Sequence, residues 1–254
     1  MRRTLVTGLL LTLALSLIAP PAHAAVDDPL LTKNKLYGVG TIPRSTCAEK
    51  PISKPNNVPI AKAYVTSVVT CLNRVWAKQL VKAGVKLKAP KLTLLTKMPA
   101  KYCGGQAWEE RVMSYCNRQI IAVLDKRILT RDPDDLWIFI EVSRRYAEYV
   151  QDMVRITPAV YDNKPEDDEE AWNELARRAQ LQSYCLAGAF TASVYRSLPR
   201  KTSEWTSMVR QLSKPPRFPQ LGSGKSLTYW MNRGFNSRNP KYCNTWTVSS
   251  SLVA

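Results

Sequence analysis

DPDDLWIFIEVSRRYAEYVQDMV, residues 132–154, is the stretch on which the fold class turns. Asp132 is a good helix N-cap, Pro133 suits the first helical position, and Asp134 and Asp135 put negative charge on the positive end of the helix dipole. Stepping 100° per residue from Leu136 gathers Phe139, Ile140, Ser143, Ala147, Val150 and Val154 on one side, and Val142, Tyr146 and Met153 widen it. A narrow polar strip is left: Glu141, Arg144, Arg145, Glu148 and Asp152. So apolar a helix is largely buried, and its strip must face a cleft or solvent, with charges paired wherever water is excluded.

Around this helix the sequence alternates periodic segments with breaks. A helix is expected from Pro59 to Ala83, with Gly84 just past its end. KLTLLTK at 91–97 reads as a strand, residues 98–112 as a loop, and Met113 to Leu124 as a further strand or pair of strands. Ile156 to Lys164 reads as a linker. A long helix then runs from about Glu166 to Leu198, stopped by Pro199, with shorter helices over Ser203 to Leu212 and Ser226 to Phe235. Residues 25–57 lack periodicity and read as an irregular arm, leaving 58–254 as one α+β domain, mainly helical, with a small sheet and long central helices.

Residues 1–24 carry Arg2 and Arg3, an apolar run from Leu5 to Ile18, and the small-x-small site Ala22-His23-Ala24, as a secretory signal peptide does. No later apolar stretch is long enough to span a bilayer. Six cysteines in an exported chain imply three disulfides, and of the 15 possible pairings spacing favours Cys47 with Cys71, Cys103 with Cys116, and Cys185 with Cys243. The mature chain from Ala25 holds 35 basic and 20 acidic residues, a formal +15. The charge is uneven: residues 25–131 carry 19 basic and 6 acidic side chains, 132–180 carry 6 and 13, and 181–254 carry 10 and 1. A basic excess of this kind suits solubility and attraction to anionic envelope polymers; no RNA motif or zinc finger points to specific nucleic-acid binding.

His23 is the only histidine, so the mature chain lacks both the commonest zinc ligand and the commonest neutral-pH base. Gly222-Ser223-Gly224-Lys225-Ser226 fails as a phosphate loop because Pro219 stands where glycine is required; it reads as a flexible turn. The run Glu166 to Glu170 lacks the alternation of a calcium loop and reads as a helix start. Ser–Lys chemistry and a carboxylate pair drawn from Glu141, Glu148 and Asp152 stay open.

Three segments fall into a familiar order. RRYAEYVQ at 144–151, QLQSYCLAG at 180–188, and Trp230, Gly234 and CNTW at 243–246, with YCNRQIIAVLD at 115–125, resemble the bacterial neutral zinc metallopeptidases. That family carries HE(Y/F)GHHVQ, ELQADC(F/Y)AG and a terminal W…G…CNTW. The resemblance implies a zincin-like fold and conserves the structural positions Tyr146, Val150, Gln151, Leu181, Gln182, Cys185, Gly188 and Trp246. It also puts Arg144 and Glu148 where the zinc histidines fall, Arg145 at the general-base glutamate, and Gln180 and Tyr184 at the acidic positions of the second motif. The implied protein has no catalytic residue, metal or cofactor. Instead, Arg144 with Glu148 and Glu141 with Arg145 are expected to form an i, i+4 ion-pair lattice. Such a pseudoenzyme would bind a protein or an anionic envelope polymer; the alternatives are a hydrolase with unconventional residues and a structural envelope protein held by charge.

Overall fold

The computed structural model describes residues 26–49, 52–54, 56–107, 112–125, 135–214 and 219–254. The expected signal peptide and the expected capping residues Asp132 and Pro133 lie outside them. Helix α1 (Pro29–Thr32) is followed by a 3-10 turn over Lys35–Gly38 and by the long helix α2 (Val58–Lys82). Strands β1 (Lys91–Leu95), β2 (Lys101–Tyr102), β3 (Gln106–Ala107), β4 (Met113–Cys116) and β5 (Gln119–Val123) come next. Helices α3 (Asp135–Met153), α4 (Ile156–Asp162), α5 (Glu169–Val194), α6 (Thr202–Leu212) and α7 (Gly224–Ser237) complete the chain, with a 3-10 turn at Pro240–Cys243 in the tail. The class is α+β and mainly helical, as the periodicity predicts.

The sheet has the order β1-β5-β4. β5 runs parallel to β1 and antiparallel to β4. The hairpin between β4 and β5 turns on Asn117 and Arg118, both at positive φ (48° and 58°), the twist that a two-residue connection requires. The pair of strands is thus the alternative that holds over Met113 to Leu124, with Arg118 in a turn position that favours glycine. Residues 98–112, expected as loop, contain the β2–β3 ribbon, because Cys103, Gly104 and Gly105 all take positive φ and reverse the chain tightly.

Other boundaries shift for equally local reasons. The expected linker at 156–164 contains α4; Pro158 sits in its first turn, where a missing N–H has no helical partner to lose. Arg155, at φ 67°, makes the break between α3 and α4. Helix α5 starts at Glu169 and not at Glu166, because Asp168 is its cap and accepts from Ala171 N at 2.9 Å. It passes into a 3-10 turn over Tyr195–Ser197 before Pro199. The glycine-rich turn at 222–226 is packed: Ser223 caps α7, and a Cβ on Gly224 would lie 2.2 Å from Ser213 O.

All three disulfides pair as spacing suggests. Cys47–Cys71 ties the N-terminal arm to α2, Cys103–Cys116 ties the ribbon to β4, and Cys185–Cys243 ties the tail to α5, with Cα separations of 5.7, 5.8 and 5.4 Å. Residues 26–49 contribute Leu31, Leu36, Val39 and Ile42 to the same core as the helices. Among the described helices, α5 and α7 share the most extensive contact, and glycine permits the close approach: a Cβ on Gly234 would sit 1.8 Å from Cys185 O, and one on Gly188 2.3 Å from Met231 O. The Gly234→Ala variant is therefore expected to lose about 3 kcal/mol or more of stability through forced helix separation. Gly38→Ala, with open space around it, should stay within about 0.5 kcal/mol of the parent, both read by urea denaturation.

Candidate functional site

Helix α3 lies between α2 and α5, with the sheet against it, and its apolar face fills the core as the 100° stepping requires. Leu136, Phe139, Ile140, Ala147 and Val150 are all 2 % exposed or less, and Phe139 stacks on Phe190 of α5 with ring centroids 5.8 Å apart. Three of the five residues of the polar strip are buried as well: Arg144 is 4 % exposed, Arg145 8 % and Glu141 9 %, while Glu148 and Asp152 are half-buried. Charges so placed must find partners within the protein.

They do so at the α3–α5 interface. Arg144 offers a forked pair to Glu141 (Nε to Oε1 3.3 Å, Nη2 to Oε2 3.0 Å). Its Nη1 donates to Glu148 Oε1 at 3.0 Å and across to Gln180 Oε1 of α5 at 2.9 Å, and its guanidinium lies 4.9 Å from the centre of the Tyr184 ring. Arg145 Nη1 donates to both oxygens of Glu148, at 2.8 and 3.1 Å. The expected lattice exists with one exchange. Glu141 takes Arg144 three residues on, and Arg145 turns to Glu148, because the forked contact from Arg144 fits the i, i+3 geometry. Two carboxylates thus face two guanidiniums around one centre.

Burial opposes the charge on Arg144, but Glu141, Tyr184 and Glu148 outweigh it and hold the guanidinium above its usual pKa. Burial also raises the Tyr184 phenol, which stays neutral. Satisfaction is uneven, since Arg145 Nε is buried with no hydrogen-bond partner.

The five sequence-predicted positions, Arg144, Arg145, Glu148, Gln180 and Tyr184, therefore meet in one place. Asp152 stands apart, accepting from Tyr115 Oη at 2.8 Å with Arg118 Nε 3.7 Å away. Burial, followed by this hydrogen bond, pushes the Tyr115 pKa up, so the phenol remains a donor. Arg145, Glu148 and Asp152 open onto a cleft of about 520 Å³ whose other walls include Tyr115, Tyr161 and Trp172. The aromatic pair, with centroids 5.7 Å apart, joins α4 to α5. Sequence reading misses it because α4 itself is hidden behind Pro158.

Behind the ion pairs runs a neutral relay. Gln151 donates to Ala179 O (2.9 Å) and Gln182 Oε1 (2.8 Å), and Gln182 donates to Tyr37 Oη (2.8 Å) and Cys243 O (3.1 Å). Arg178, paired with Glu174, also holds the carbonyls of Thr245 and Val248, so α5 anchors the CNTW segment by side chains as well as by disulfide.

Two facing long helices, a three-stranded sheet and a site built from residues 144–148 and 180–184 define a metallopeptidase-like domain. The chain belongs to the family described as "Putative neutral zinc metallopeptidase", whose sequence model matches residues 6–203. It is similar to "Uncharacterized protein YpfJ" of Escherichia coli strain K12 and to the protein of the same name in E. coli O6:H1 strain CFT073. Each is 25% identical over 219 residues, covering 77% of this chain and 74% of the relative. No solved structure matches.

The family name implies zinc, and the donor set does not fit it. Among the described residues, no group of three or more His, Cys, Asp or Glu side chains is placed to hold a metal. All six cysteines are in disulfides. Glu141 and Glu148 already accept from guanidiniums, and two fixed arginines would repel a divalent cation in a site of low effective dielectric.

Removing Glu148 leaves Arg145 buried without a counter-charge. Glu148→Leu is expected to lose about 3 kcal/mol or more. The double variant Arg145→Met/Glu148→Leu, which keeps the Arg144–Glu141 pair, should recover most of that loss in thermal or urea denaturation. A double variant weaker than the single one would mean that the lattice is not what Glu148 supports.

Proposed function

We propose that this chain is an exported, catalytically inactive member of its family that serves as a binding module at the cell envelope. The observation that carries this is the convergence of Arg144, Arg145, Glu148, Gln180 and Tyr184: the positions to which the family resemblance assigns metal and base are held by a charge-balanced, hydrogen-bonded cluster. A zinc-activated water needs an electron-rich donor set and a carboxylate base free to take its proton. Here the central groups are cations, and the one carboxylate at a former ligand position is engaged by both of them.

Export is supported by the signal-like residues 1–24 and by three disulfides, which persist in oxidising compartments. Among the described residues, no helix is long and apolar enough to cross a membrane. The layout that goes with this reading is a cleaved leader, an N-terminal arm over 25–57 stapled by Cys47, and one domain over 58–254. The partner is then a protein or an anionic envelope polymer, met through the cleft or the basic surface.

Elemental analysis of the purified mature protein should find far less than one equivalent of zinc. Incubation with denatured protein substrates should give no cleavage that both a chelator and Glu148→Ala abolish. Stoichiometric zinc, or cleavage lost under both treatments, defeats the proposal in favour of a working hydrolase.

A further inference from the structure

Away from the α3–α5 cluster, the two basic portions of the sequence come together. The segment 32–40 and the tail 233–248 enclose an open groove of about 780 Å³ whose lining includes Lys33, Lys35, Arg233 and Lys241 and no acidic residue. The acidic middle of the chain lies elsewhere, supplying Glu148 and Asp152 to the cleft. Backbone hydrogen bonds extend the basic surface. Ile42 N donates to Arg238 O at 2.7 Å and Ser45 N to Ser193 O at 2.9 Å. These bonds hold Arg44 between Arg238 and the turn that carries Arg196, and the like charges of those two arginines reach Arg44. Among the described residues, none of the seven cations is paired with a carboxylate. Self-repulsion of this kind is retained at a cost, which an anionic ligand would offset.

The groove also has a fixed recognition element. Arg233 donates from Nε to Tyr242 O (2.8 Å) and from Nη1 to Tyr229 Oη (2.9 Å). Its guanidinium lies within 5.8 Å of the ring centres of Tyr229, Trp230 and Tyr242. It is thus held in one orientation, with little rotamer freedom left to lose on binding. Tyr229 and Tyr242 remain 38 % and 45 % exposed beside it. A planar cation beside two partly exposed tyrosines suits a ligand in which anionic groups alternate with rings that have an apolar face.

We propose that this groove, with its Arg44–Arg196–Arg238 extension, binds a linear acidic polysaccharide. Its concavity and its single aliphatic lining residue, Val248, disfavour a planar lipid surface, which needs a convex or inserting apolar face. Three disulfides place the chain outside the compartments where nucleic acid is the abundant polyanion. The assignment rests on the envelope-binding reading above for its setting, but uses none of the residues of the α3–α5 cluster.

The test uses the full mature chain and isothermal titration with two probes, polygalacturonate for carboxylate-bearing and phosphomannan for phosphate-bearing glycans. Neutral dextran, phosphatidylglycerol vesicles and single-stranded DNA serve as comparisons. At least one acidic glycan should bind, dextran should not, and the stronger glycan should bind more tightly than vesicles or DNA. Lys35→Gln/Lys241→Gln should weaken the glycan roughly tenfold or more. The control Lys97→Gln/Lys101→Gln, which removes the same charge from exposed positions near β2, should change it by less than about twofold. Equal losses in the two double variants, tighter binding to vesicles or DNA, or no binding of either glycan overturns the proposal. Because Lys35 and Lys241 belong to the groove and not to the cluster of Arg144 and Glu148, failure here leaves the zinc and cleavage results untouched, and zinc or cleavage would leave glycan binding to be judged on its own.

Discussion

A guanidinium at 4 % exposure between two helices is tolerable only when its charge is answered at close range, and Arg144 is answered by Glu141, Glu148 and Gln180 at once. This requirement fixes much else. Glu148 must point back along α3 to serve both arginines, Gln180 must lie opposite on α5, and the Tyr184 ring must close the remaining side. These contacts tie α3 and α5 in the register observed. Replacing such a cluster with matched apolar residues often leaves stability unchanged or improved, whereas removing one member is severe. The cluster's contribution is better understood as specificity of packing than as net stabilisation.

Much of this was legible in the sequence where periodicity or chemistry was strong. The apolar stepping from Leu136, the capping glycine after α2 and the order of the 144–151 and 180–188 segments led to the helix-rich α+β class and to the five residues that meet at the α3–α5 interface. What stayed hidden was decided by local backbone geometry or by tertiary partners. The stretch from Ile156 to Lys164 reads as a linker, although the first turn of a helix accepts Pro158. Arg118 at positive φ gives no sign of where the strand pair over Met113 to Leu124, one of the two expected alternatives, makes its turn. Glu141 carries no sign of choosing Arg144 over Arg145, because both spacings are favourable on an isolated helix and only the forked contact decides between them. The groove between 32–40 and 233–248 could not be foreseen, since the elements facing each other are separated by almost the whole chain.

The folded chain also sorts its charge. A sequence that is basic, then acidic, then basic becomes a molecule with an acid-containing aromatic cleft beside α3 and a cationic groove where its ends meet. The N-terminal segment is held there by Asn34, which donates to Val154 O at 3.0 Å, and the tail by Asn244, which donates to Thr32 O at 3.0 Å. The amides of the groove wall are thus committed to architecture, and its cations are left for other work.

The Cys185–Cys243 bridge spans 58 positions of sequence, and it changes how the molecule would carry mechanical load. Tension applied at the C-terminus first meets the bonds that Ser223 N and Ser226 Oγ donate to Ala254 O and that Trp230 Nε1 donates to Leu252 O, all from inside the loop closed by the bridge; once these part, load passes from Cys243 through sulfur to the middle of α5, and α6 and the groove residues Arg233, Arg238 and Lys241 lie outside its covalent path. A tail pulled from outside would peel from α7 before it strained the centre of the domain.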